Sequence, residues 1–401
     1  MNIINLVLIY FLLSVKSSFA QSYKYIQKKD PEIHRNDVTF GRLTFLKGQL
    51  FDEQYLSKNG QCTGRCSDYD DTHYHYNEHY NKSIVNQLFQ CNGRIIKCKD
   101  VVGFDATVTL RVDNMMYRFK PNKDGSDFNV RKTEGLHDRQ HHHFYKNHDL
   151  YTNYPMSSHS RCVTCKCYCD DTHSKNSVRS FCLDTIQSLV EEGYVITGLR
   201  LVIRTKMVHL EIQQGQLVNG FIKQSTVHWS IKNWCTTPGP MNYDSRAFQL
   251  DEIILPEDQV LTGVQFNRYD PKTKVHGFSV GRFSLGVIGT TVDSTGNLDI
   301  ENWFPHHRIQ GKRKVLLISD SNVSLIPPSG SEEISTPNKH YIKFHPSDWK
   351  YDFAQHMIPF LDFQEVVTEP ASPISGVGIY YKSRRGFGGF IAPKIIVKAN
   401  L

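Results

Sequence analysis

From about residue 179 to the end, short apolar runs alternate with polar positions and are broken by Gly, Pro and Asn/Asp. Period-two alternation with such punctuation predicts antiparallel strands. Three stretches repeat one pattern: RSFCLD…YVITGLRL (Arg179 to Leu201), RAFQLD…QVLTGVQF (Arg246 to Phe266) and IPFLDF…SPISGVGI (Ile358 to Ile379). Each has Phe, Leu-Asp, an interval, then an apolar residue, Thr or Ser, Gly and an apolar residue. The Phe-to-Gly spacings are close: Phe181 to Gly198, Phe248 to Gly263, Phe360 to Gly376. Further on, Val208-His209 lines up with Val275-His276, and the third copy continues through Phe387 without the histidine.

Each unit reads as strand, loop, strand, turn, strand. Alternation puts Leu199 and Leu201, or Val264 and Phe266, on one buried face. The Gly of each Thr-Gly pair marks a bulge or a close backbone approach. No single unit can bury its apolar face alone. Three sheets about a pseudo-threefold axis would do so, which predicts a mainly β, β-prism-like repeat domain. A β-trefoil or a β-sandwich are the alternatives. Residues 180–193 also fit a short amphipathic helix ending at Gly193; the repeat favours strand. The domain spans 179–401, with repeats at about 179–230, 246–290 and 358–401 and an insertion at about 291–350.

The first half has a different texture. Residues 1–20 form an apolar stretch followed by small residues, with Ser18 and Ala20 in cleavage-site positions. This is read as a secretory leader, too short for a membrane anchor. Residues 21–60 are polar apart from Leu43 to Leu50. Residues 61–178 are rich in Cys, His, Tyr and Asn. A formal net charge of +7, with acids and bases interspersed, shows no nucleic-acid footprint. No later run is long enough for integral membrane association.

Ten cysteines are expected in an oxidising compartment: Cys62, Cys66, Cys91, Cys98, Cys162, Cys165, Cys167, Cys169, Cys182 and Cys235. CVTCKCYCDDTH (Cys162 to His173) lacks the second C-x2-C of a structural zinc site and the helix of a redox pair. Cysteines two apart on a strand face the same way, so Cys165, Cys167 and Cys169 are expected to bond separate partners. Spacing leaves the pairing open. Asn81 and Asn322 head glycosylation sequons.

Asp-Asp-Thr-His occurs at Asp70, Asp71 and His73, and again at Asp170, Asp171 and His173. With His75 and His79 four apart, the first copy is a weak metal-ligand candidate, and a polar, disulfide-tied loop is favoured. The three histidines after Gln140 read as a surface cluster. Gly277-Phe-Ser279-Val-Gly281 matches a nucleophile elbow but sits in a strand pattern without the following helix. Arg384, Arg385 and Phe387 lie in RRGFGGF, read as a glycine hairpin turn whose side chains are weak ligand-contact candidates. No catalytic residue and no cofactor is assigned.

Taken together, YVITGLRL with VHLEIQQGQL and STVHW, then VLTGVQF, ISGVGIYYKSRRGFGGFIAPKI, CNGRIIKC and CVTCKCYCDD resemble a family of secreted insect proteins known only as a domain of unknown function. That resemblance implies no activity, substrate or site. A weaker, fold-level likeness to β-prism lectins rests on the repeats and Gly-rich turns. The expectation is a secreted, non-enzymatic binding module with a glycan or extracellular-matrix ligand. A metal-dependent extracellular enzyme using the His/Asp-rich region, or a structural component of a secretion, are the alternatives.

Overall fold

The computed structural model describes residues 23–57, 61–75, 91–100, 108–112, 115–121, 128–133, 147–148, 163–175, 177–269, 282–307, 312–318, 327–347, 349, 354 and 356–399. The protein is mainly β, with several sheets and disulfides. Three seven-stranded sheets hold the second half of the chain. Each is built on a long antiparallel hairpin. In the first sheet, Tyr194–Arg204 pairs with Met207–Val218. In the second, Gln259–Tyr269 pairs with Arg282–Val292. In the third, Gly376–Ser383 pairs with Phe390–Lys398.

A short strand lies parallel to the second hairpin strand of each sheet: Ser180–Cys182, Ala247–Leu250 and Phe360–Asp362. The chain then hands over to the next sheet. Ile186–Gln187 adds to the second hairpin, Glu252–Ile254 to the third, and Val366–Val367 to the first. Residues 180–193 are therefore two short strands and a 3-10 turn, closed by Gly193 at φ +76°.

Bulges fall where the Thr-Gly pairs predict them, between Ile196 and Gly198 and between Leu261 and Gly263. Both threonines are buried. In each sheet the carbonyl at this position accepts an N–H from the handed-over strand: Thr368 to Thr197, Ser188 to Thr262, Leu255 to Ser375. The third copy has no register shift. There a Cβ on Gly376 would meet the Ile253 carbonyl oxygen at 2.5 Å, so close backbone approach requires the glycine.

Register corrects the third copy by one residue. Phe181 pairs with Val208 and Phe248 with Phe283, but Leu361, not Phe360, pairs with the matching core residue Ile391. Leu361 joins the common core with Phe181, Phe248, Val264 and Val377, while Phe360 packs in a separate cluster with Phe40 and Phe390. A one-residue slip moves a side chain to the opposite face. The downstream alignment is corrected too. The counterpart of Val208-His209 is Phe283-Ser284, because the second hairpin has a longer connection; Val275 and His276 lie outside the described residues.

Other segments feed the same sheets. Tyr23–Ile26 and Phe40–Gly41 extend the third sheet, and so does Glu332–Glu333. Leu298–His307, His340–Lys343 and Lys314–Leu316 extend the second. The expected insertion thus supplies strands to two sheets.

The cysteine-rich part forms a four-stranded sheet in the order Leu46–Asp52, Thr164–Asp170, Asn92–Asp100, Thr72–His75. On Thr164–Asp170, Cys165, Cys167 and Cys169 face one way and bond Cys66, Cys98 and Cys91 respectively. These cystines make most of a small core with Phe51, Tyr69 and Ile95. Cys182 bonds Cys235 at the edge of the first sheet, and Cys62 is also disulfide-bonded. Glu53 anchors this region from within. Its carboxylate accepts N–H groups of Thr63 (2.6 Å), Gly64 (2.8 Å) and Val163 (3.0 Å) and the Tyr69 hydroxyl (3.1 Å). A second sheet of the first half, Val108–Val112, Met115–Pro121, Phe128–Thr133 and Asn147–His148, is an antiparallel meander.

Candidate functional site

The third hairpin alternates strictly. Ile379, Tyr381, Ile391 and Ile395 point into the common core. Gly378, Tyr380, Lys382 and Lys394 therefore face outward. An outward lysine normally reaches water, yet Lys382 and Lys394 are each only 2% exposed. Tyr23–Ile26 lies alongside on one edge, Glu332–Glu333 on the other, and residues 27–30 run across. Between them is a cavity of about 750 Å³, lined among others by Tyr25, Ser331, Thr336 and Tyr380.

Each buried ammonium is held by two carboxylates. Lys394 pairs with Glu252 and with Glu333 at 3.0 Å. Lys382 pairs with Asp362 at 2.6 Å and Asp30 at 3.0 Å, and donates to the Lys28 carbonyl. Such burial is tolerated only when the charge is paired and its remaining hydrogens are satisfied. Gly378 makes room for one of these pairs: a Cβ there would meet Glu252 Cγ at 2.9 Å and Lys394 Cε at 3.1 Å.

Around the pairs, the Gln27 amide donates to Glu333 at 2.7 Å and the Ser331 N–H donates to Asp30 at 2.7 Å. Lys394 Nζ lies 5.3 Å from the Tyr380 ring centre and 5.6 Å from that of Tyr25. Burial, reinforced by the charges of Asp362, Glu333 and Asp30, pushes the Tyr380 phenol well above its ordinary range, so it stays a neutral donor. Burial works against the charged form of Asp30, but hydrogen bonds from Ser331 and the Lys382 ammonium together hold its carboxyl below the usual value. Both buried ammonium groups are thus paired, while Lys28 and Lys29 also line the cavity. What remains is a field of oriented donors and acceptors beside the half-exposed ring of Tyr25.

The matching positions of the other sheets differ. Lys394 corresponds by register to Glu211 of the first sheet and Gly286 of the second. Glu211 is fully buried between Arg200 (2.7 Å) and Arg204 (2.6 Å), with the Arg200 guanidinium 4.2 Å from the Trp229 ring centre. Gly286 leaves space into which the Asn267 amide reaches.

The residues singled out from sequence are dispersed. Asp71 pairs with Arg94, and Asp70 accepts the Lys97 N–H. His73 is exposed on Thr72–His75, His75 ends that strand, and His79 lies outside the described residues. Asp170 instead joins the two halves of the protein, accepting the buried Arg179 guanidinium at 3.0 Å and the Tyr243 N–H at 2.9 Å. Asp171 accepts the His173 N–H. Among the described residues one group has metal-ligating types in reach, Cys182, Asp184 and Cys235, but both sulfurs are spent in the disulfide. Asp184 there accepts from Lys232, Thr236 and Thr237.

Arg384, Arg385 and Phe387 form the turn of the third hairpin, with Gly386 at φ +83° and Gly389 at φ +68°. Arg384 stacks on Phe387 at 4.4 Å and donates to the Ser329 carbonyl, two residues from the cavity wall at Ser331. Asn81, Asn322, Cys162, the histidines after Gln140 and the Gly277–Gly281 stretch lie outside the described residues. Sequence reasoning did not single out Lys382, Lys394, Glu252 or Glu333; the one available signal was lysine at outward positions of otherwise apolar strands.

The family model described as Domain of unknown function (DUF4803) matches residues 10–212. The chain belongs to this family. The span matched by the DUF4803 model takes in the cysteine sheet and the first sheet's hairpin as far as Ile212, together with the Tyr25 wall of the cavity. The buried lysines lie beyond it. No curated protein matches the chain.

Proposed function

We propose that this protein is a secreted, non-enzymatic binding module whose ligand is a glycan, taken up in the cavity on the third sheet. The carrying observation is the pairing of the buried charges. Each buried ammonium sits between two carboxylates, so the cavity wall offers fixed, oriented hydrogen-bonding groups. Hydroxyl-rich ligands are read by such oriented polar groups, and Tyr25 supplies an apolar face for a sugar ring. Secretion accords with the leader-like residues 1–20 and with the disulfides. The cyclic hand-over of strands supports a β-prism-like arrangement of the three sheets.

The test is retention on a broad panel of immobilised glycans with competition by the free sugar. Tyr25→Ala and Glu333→Gln are expected to weaken retention about tenfold each. Absence of retention on the whole panel would sink the reading.

A further inference from the structure

The second sheet carries the reverse electrostatic situation on its outer face. Phe248 points to the core, so its neighbour Ala247 points out. Ala247 lies in register with Arg282 on one side and Lys343 on the other, and is itself buried. Phe344 is buried in the core, which puts Lys343 and His345 together on the outer side. The Phe344 N–H donates to the Arg246 carbonyl at 2.9 Å and fixes this strand beside Arg246. Two aromatic rings brace the guanidinium groups: Arg246 lies 3.9 Å from the Tyr243 ring centre and Arg282 3.8 Å from that of Tyr341.

Several other half-buried and buried cations among the described residues are paired with acids. Arg179 has Asp170, Arg200 and Arg204 share Glu211, Arg313 has Asp251, and Lys382 and Lys394 have two each. Among the described residues no carboxylate pairs with Arg246, Lys343 or His345. The nearby acids are engaged elsewhere: Asp170 by Arg179, Asp244 by Arg94, Asp251 by Arg313. Arg246 Nε is buried without a hydrogen-bond partner.

The like charges act on one another. Burial first, then the Arg246 and Arg282 charges, hold the Lys343 ammonium below its usual value. Burial first, then Arg246 and Lys343, bring His345 down to about 4. A cluster of partly desolvated cations is costly unless an anion joins it.

We propose that this face of the second sheet is an oxyanion site, formed by Arg246, Lys343 and His345 with Arg282 at its edge, for a sulfate or phosphate monoester group. Guanidinium planes match the oxygen geometry of such groups, and the ammonium adds a point charge. The site stands apart from the third-sheet cavity and does not depend on that reading.

The experiment is a titration of the full chain with sodium sulfate and with sodium phosphate at millimolar concentration. Ionic strength is matched with chloride, and the His345 ring resonances are followed by NMR together with thermal unfolding. Low concentration separates site binding from the general stabilisation that sulfate gives every protein. Saturable shifts of His345 and a rise of its pKa are expected. The stronger of the two ions names the ester class. Lys343→Gln should weaken binding at least about tenfold. Arg246→Gln serves as a second variant, and Lys28→Gln on the other sheet should leave binding unchanged. Non-saturable shifts, equal effects of chloride, or unchanged affinity in both Lys343→Gln and Arg246→Gln would overturn the proposal.

Discussion

The outer faces of the third and second sheets are built on the same strand plan and treat charge in opposite ways. On the third, Lys382 and Lys394 are buried and each paired with two carboxylates. On the second, Arg246, Lys343 and His345 are crowded together, and no described carboxylate pairs with them. The inward positions of the two hairpins are interchangeable in kind, Val264 and Phe283 against Val377 and Ile391. The contrast shows where a repeat is constrained. Inward positions must fill one common core, whereas outward positions answer only to whatever segment covers them.

The comparison can be broken most forcefully at Lys394. Lys394→Met leaves Glu252 buried opposite an apolar group, and is expected to cost about 3–5 kcal/mol, read as a fall in the urea midpoint. A cost below that of an ordinary surface substitution would mean the third-sheet charges are not paired as described. The double variant Lys394→Met with Glu252→Leu should recover a large part of the loss.

Acid separates the two faces next. The folded His345 has a pKa of about 4, below the ordinary 6.5 of an unfolded histidine. The unfolded chain therefore takes up the proton first, and stability falls as pH drops from 6.5 toward 4. The loss approaches about 3 kcal/mol at most. Asp30, held below its usual value of 3.8, acts in a lower window. Its contribution is present above 3.8 and is lost as pH falls through its folded value. Unfolding free energy measured against pH should show the first loss vanish in His345→Asn and the second remain.

Smaller effects sharpen the contrast. Gly378→Ala wedges a methyl between Glu252 and Lys394 and should cost about 1–2 kcal/mol. Gly286→Ala, on the second sheet, need displace only the tip of Asn267 and should cost under about 1 kcal/mol. The smallest change carries the most telling sign: Lys343→Met relieves repulsion and should leave stability within about 0.5 kcal/mol of the parent or raise it. Chemical denaturation of the three variants, run side by side, checks the order.

Much of the frame was legible from residue types. The bulges at Thr197 and Thr262 follow from Thr-Gly in an alternating strand, and the same-facing Cys165, Cys167 and Cys169 follow from period two. The register of the third repeat was not. Phe360, Leu361 and Phe363 are all apolar, so pattern alone permits a one-residue slip, and the pairing of Leu361 with Ile391 decides it. Nor was the pairing of the cysteines, since spacing says which way a sulfur points but not what it meets.

The chain by itself determined that this protein is β-rich, cystine-braced and three times repetitive, because alternation, bulge residues and cysteine parity are local properties of the backbone and its side chains. Only the tertiary structure decided what its surfaces can do. Lys394 on a strand reads as a solvated lysine until Tyr23–Ile26 and Glu332–Glu333, hundreds of residues apart, flank its hairpin on either side. Lys343 and Arg282 read as unrelated cations until Ala247 brings them together. Burial and charge proximity are properties of what lies across the fold, and no local pattern encodes them.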